Sequence, residues 1–181
     1  YFLSNKEGWE SLEIYNHSNT ISEYTYINKN KLRDNQLDQV QIFMTKIDQL
    51  IDLDFLEMDH NNGSDIDIYP INYSSSFKSD RIVGQAKSQS NSAGSWWEIL
   101  WKNHTGENNE DKAQDFHTFV HEFGHVLGLS HPFNKPFDAN LSTEDTVMSY
   151  NRGPNGWNSW FSEDDIKTLI SIWGREDDNG R

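Results

Sequence analysis

With 181 residues, the chain is long enough to bury a sizeable core in one domain. Its 15 basic against 29 acidic residues give a net charge of −14, which argues against a nucleic-acid backbone or an anionic membrane surface as partner. Cysteine is absent and no apolar run approaches bilayer length, so disulfides, thiolate chemistry and a spanning helix are all excluded at the level of sequence.

Taken in chain order, the first thirty residues are polar and aromatic, and the alternation of Ile21 to Ile27 predicts a strand. Asn35 and Asp38 have the spacing of a capping pair. After them Leu37, Val40, Phe43, Met44, Ile47, Leu50 and Ile51 recur at helical spacing, predicting an amphipathic helix of about sixteen residues. Leu53 to Met58 reads as a short strand and Asp65 to Ile71 as another, alternating one. Between them Asp59, Asn61 and Asp65 offer oxygen ligands of the kind calcium takes. The glycine does not fall where an EF-hand loop needs it, so a solvated turn is expected there and calcium is unsupported. Ile82 to Ser88 reads as a strand between serine-rich loops, and Ser95 to Lys102 as a strand carrying Trp96, Trp97 and Trp101 with one face in the core.

A long helix is predicted to begin near Asn108 or Asn109, with Asp111 in its first turn. Its buried stripe is Phe116, Phe119, Val120, Phe123 and Leu127. The last helix runs from Glu163 to Trp173, opened by the capping box of Ser162 and Asp165, with Ile166, Leu169, Ile170 and Trp173 on its apolar face. This order of elements implies an α/β or α+β domain with a twisted mixed sheet backed by helices.

Residues His121 to His131 read HEFGHVLGLSH. The first two histidines stand at i and i+4, about 6 Å of rise apart on one helical face, and can grip one metal ion. Glu122 between them lies close enough to polarise a metal-bound water. Gly128 can adopt backbone angles forbidden to other residues, so the helix can end there and return His131 to the same ion. Three neutral nitrogens leave a fourth position open, the arrangement of one catalytic zinc rather than a closed structural site. His117, four residues earlier, would reach the same ion only if the helix bent; it is expected at the surface or supporting the site. Asp145 is expected to be a local cap or a surface carboxylate.

The motif HExxHxxGxxH with a downstream methionine turn resembles the metzincin clan of zinc endopeptidases. Pro132 and the run Thr146-Val147-Met148-Ser149-Tyr150 look most like the serralysin branch, as do SWWEILWK and the closing FSEDDIKTLISIWG. The resemblance spans about Ile21 to Gly174. It implies a zincin catalytic domain whose active-site helix is followed by an irregular C-terminal part and a final helix. It also implies His121, His125 and His131 as zinc ligands, Glu122 as general base and Met148 as the floor beneath the metal. Tyr150 would be an extra ligand or a mobile phenol that assists catalysis, and the edge strand around Val83 to Ser88 would pair with substrate backbone. Two departures limit it: glycine-rich calcium nonapeptides are absent, and the stretch between His131 and Met148 is this chain's own.

The sequence therefore predicts a single metallopeptidase domain over residues 1–181, with an upper part to about 128 and a lower part from 129. It would cut internal peptide bonds of protein or peptide substrates by Glu-assisted attack of a zinc-bound water, as a monomer. The resemblance implies secretion, and an inhibitory prodomain would lie outside this chain, which opens at Tyr1 as a processed segment does. Trp157, Trp160 and Phe161 are equally candidates to wall a hydrophobic specificity pocket and to anchor the core. The alternatives are a noncatalytic zinc-stabilised extracellular binding module and a hydrolase of narrow nonpeptide amides.

Overall fold

The computed structural model describes residues 1–103 and 108–177. Among these residues six strands are formed: β1 (Phe2–Leu3), β2 (Gly8–Tyr15), β3 (Ile21–Lys29), β4 (Ile66–Ser74), β5 (Gly84–Asn91) and β6 (Gly94–Lys102). Three α-helices accompany them: α1 (Asp34–Asp48), α2 (Asn109–Val126) and α3 (Glu163–Trp173). The sheet order is β2-β3-β4-β6-β5, with β1 also paired to β4. β4 runs parallel to β6 and to β1, and the other pairs are antiparallel, so this is a mixed sheet packed against helices, an α+β fold.

The main core lies between one sheet face and the helices. Ile66, Ile68, Ile99 and Trp101 meet Val40, Phe43, Met44 and Ile47 of α1 and Phe119, Val120 and Phe123 of α2. Phe43 is the hub, with the rings of Phe116, Phe119, Phe123, Trp160 and Phe161 at centroid distances of 5.1–6.4 Å. The opposite face is also covered. Leu12, Ile27, Tyr69, Ile71 and Leu100 form a smaller core beneath the β2–β3 hairpin. The hairpin curls far enough for Tyr15 N to donate to Gln89 Oε1 on β5 at 3.2 Å, so the two ends of the strand order approach each other. As a result, the whole run from Ile66 to Ile71 is buried, including Asp67, where alternation alone implies a wet face.

Three sequence expectations are corrected. Leu53 to Met58 is not a strand: β1 takes the stretch of β4 at Asp67 and Ile68 that β3 leaves unpaired, and of this segment only Met58 makes an isolated bridge, to Phe2. Helix α1 starts before the expected caps: Arg33 is its N-cap, and its N–H donates to the Gln36 side chain at 3.1 Å. The polar stretch after Ser88 is no long loop, since β5 and β6 continue to Asn91 and Gly94, and Asn91 Oδ1 accepts from Ala93 N at 2.8 Å in the tight turn. The caps of the other two helices are as the sequence implies. Asn108 Oδ1 accepts from Asp111 N at 2.8 Å, and Ser162 Oγ from Asp165 N at 3.2 Å. No helix among the described residues is long and apolar enough to cross a membrane.

Candidate metal centre

Helix α2 is held by its phenylalanine stripe, which leaves His121 and His125, one turn apart, on a neighbouring face. Beyond Val126 the chain reverses. Gly128 takes φ +97°, a left-handed value that a side chain disfavours, and Leu129 N donates to Gly124 O at 2.9 Å. The reversal returns His131 to the helix, followed by a 3-10 turn at Pro132–Asn134. One ligand nitrogen from each of His121, His125 and His131 lies within 4.8 Å of the other two. Among the described residues no other group of three His, Asp or Glu side chains converges that closely.

The hydrogen bonds fix the protons of two imidazoles. His121 Nδ1 is 2.8 Å from Val147 O and His125 Nδ1 is 3.0 Å from Leu129 O. A carbonyl only accepts, so both Nδ1 atoms carry the proton and both Nε2 lone pairs are free to bind a metal. Burial pushes His121 down to about 3 against the opposing Val147 bond, and it lowers His125 and His131 as well. All three rings are therefore neutral at physiological pH, the form that coordinates. Such a cluster, with Glu122 beside it, can hold a divalent metal ion.

Glu122 is buried against the edge strand, where Ala86 N–H donates to it; burial raises its carboxyl to about 8 despite that bond. Gly84 makes the approach feasible, since a Cβ there would lie 2.5 Å from Glu122 Oε1. Met148 is 1% exposed and packs under α2 at Gly124, where a Cβ would lie 2.8 Å from its Sδ. The Tyr150 ring lies 5.2 Å from the His121 ring and 4.9 Å from that of His131, with Phe137 on its outer side at 5.0 Å. A cavity of about 410 Å³ opens here, walled by Val83, Gly84, Thr118, Glu122, Tyr150 and Trp157.

His117 is not a surface residue: it is buried, its Nδ1 donates to Asn158 O at 2.7 Å, and its ring lies 5.1 Å from that of Trp157. It stays outside the triad. Trp157 lines the cavity, whereas Trp160 and Phe161 anchor the core at Phe43. Asp145 caps its own turn, accepting from Ser142 N at 2.8 Å.

Asp165 has a larger part than its capping position suggests. Its carboxylate accepts from Thr146 Oγ1 at 2.6 Å and from Val147 N at 2.9 Å, as well as from Ser162 N at 3.0 Å. Because Val147 O in turn receives the His121 proton, the start of α3 is connected through one residue to the His121 ring. Only the capping box at Ser162 hinted at this. Lone glycines within a strand and a helix pattern were the available signals for Gly84 and Gly124. No family model matches the chain, and no curated protein matches it significantly.

Proposed function

We propose that the chain is a zinc metalloendopeptidase domain of the metzincin type, nearest the serralysin-like branch, acting on internal peptide bonds of protein substrates. The observation that carries this reading is the convergence of His121, His125 and His131 with two Nδ1 protons committed to backbone carbonyls and Glu122 beside them. His121 Nε2 and His131 Nε2 are 3.2 Å apart, close to the roughly 3.3 Å expected for two nitrogens at about 2.0–2.1 Å on a tetrahedral zinc. When bound, zinc supplies Lewis acidity and lowers the pKa of water toward about 7.

The protein supplies the rest. Glu122, beside the histidine cluster, would accept the proton of the attacking water as a carboxylate and pass it to the leaving amine; a bound cation would offset the burial that raises its carboxyl. The Tyr150 hydroxyl donates to the oxyanion as the carbonyl becomes tetrahedral. Strand β5 ends the sheet order beside the cavity, so an extended peptide can add to that edge through main-chain hydrogen bonds. Met148 forms the floor. In this reading residues 1–181 are one catalytic domain with its cleft near residue 128, monomeric and secreted.

The test is metal content by elemental analysis together with casein cleavage, with and without a chelator. One zinc per chain, internal cleavage, loss on chelation and recovery with zinc are expected. Metal-dependent thermal stability without cleavage would replace this reading with a noncatalytic zinc-stabilised module.

A further inference from the structure

A second cavity, of about 670 Å³, lies on the sheet face away from α2, between the curled β2 strand and strands β4 and β6. None of the residues walling it belongs to the metal centre. Its walls carry Glu10, Asp65, Asp67 and Glu98, with the rings of Tyr69 and Trp96 between them. Asp67 and Glu98 face each other as register partners on parallel strands and are 4% and 6% exposed. Glu10 is paired with Lys29, and Glu98 accepts from Gln89 Nε2 at 2.9 Å and Trp96 Nε1 at 3.4 Å. Asp67 Oδ1 is buried with no hydrogen-bond partner among the described residues.

A buried carboxylate oxygen without a donor costs several kcal/mol in order of magnitude, so it marks either a defect or a place for a missing donor. Two buried acids side by side in one cavity, one of them with an oxygen that lacks a donor, favour a cation. The cation is not a bare metal ion, because these carboxylates do not converge as the three histidines do. The space is that of a small organic ligand, and the aromatic walls suit a hydrocarbon stem with an ammonium head. Burial raises Asp67 to about 7 and raises Glu98 too, more than the N-terminal ammonium lowers the first or Lys87 the second.

We propose that this cavity binds an aliphatic polyamine: one ammonium donates to Asp67 Oδ1 and Glu98, and the methylene stem lies against Tyr69 and Trp96. A polyamine fits better than a monoamine because several carboxylates line the cavity and only Glu10 among the four named is ion-paired among the described residues.

Isothermal titration of the metal-loaded protein with spermidine tests this. One saturable site is expected, weakened at least tenfold by Asp67→Asn and by Glu98→Gln. Asp38→Asn, which makes the same charge change on α1, should leave it intact, since general attraction to a chain of charge −14 would weaken equally in all three. In the unmodified protein the Trp96 indole N–H resonance should move on saturation, a readout that does not depend on any variant folding. No saturable site, an unmoved Trp96 resonance, equal weakening in Asp38→Asn, or calcium displacing spermidine at equal concentration would each overturn the proposal.

Discussion

Gly84 sets how near Glu122 can come to the edge strand. A methyl group there would lie 2.5 Å from the carboxylate oxygen, so Gly84→Ala must push Glu122 aside. A displacement near 1 Å costs about a hundredfold in rate. We expect kcat for peptide cleavage to fall by roughly that factor with metal content unchanged, measured by steady-state kinetics and elemental analysis. Tyr150→Phe removes a donor without moving its neighbours. Its expected effect is a loss of about ten- to a hundredfold in kcat with KM nearly constant, below the cost of a fully preorganised oxyanion donor because Tyr150 is 42% exposed. An unchanged kcat would place the phenol outside the reaction.

At the scale of elements, Asp165 joins α3 to the turn that holds Met148. Losing a helix cap costs about 1 kcal/mol, and hydrogen bonds to a charged acceptor about 1.5–3 kcal/mol. Asp165→Ala should therefore destabilise by about 3 kcal/mol and weaken metal binding through Val147, while Ser162→Ala costs only about 1 kcal/mol. Equal losses in denaturant melts would reduce Asp165 to a simple cap. Strand β4 makes a prediction of opposite sign. Burial raises Asp67 to about 7, with Glu98 of β6 and Glu10 of β2 adding to the rise and the Ser64 hydrogen bond and the N-terminal ammonium opposing it. A raised carboxyl favours the protonated fold, so stability falls as pH climbs from about 4 through 7. Asp67→Asn should raise Tm above pH 7 by at least about 2–4 °C, with the gain shrinking toward pH 4. The elements that sequence revealed were those with chemical punctuation, such as Asn108 before α2 and Ser162 before α3. Strand β2 escaped notice because Trp9 points outward, 69% exposed, while Leu12 and Ile14 point inward, which breaks the alternation that marks a strand.

Across the whole molecule, the histidine cluster was readable because its ligands follow from local spacing, two on one helix and one past a glycine. The surroundings were not, because they depend on long-range contacts: Gly84 on Glu122, Asn158 on His117, Asp165 on Val147. The second cavity was still less accessible, since it exists only where β2 curls over β4. Metal removal should be felt globally, because the cluster ties α2 to the returning chain at His131. At a thousandfold excess over Kd, binding stabilises by about 4 kcal/mol, so chelation should lower Tm by about 10 °C, checked by calorimetry. The most direct measurement is the cleavage rate of an internally quenched peptide by Glu122→Gln and by the unmodified protein at equal metal content. The account predicts full metal occupancy in the variant and a rate lower by about 10²–10⁴. Equal rates at equal occupancy would contradict it.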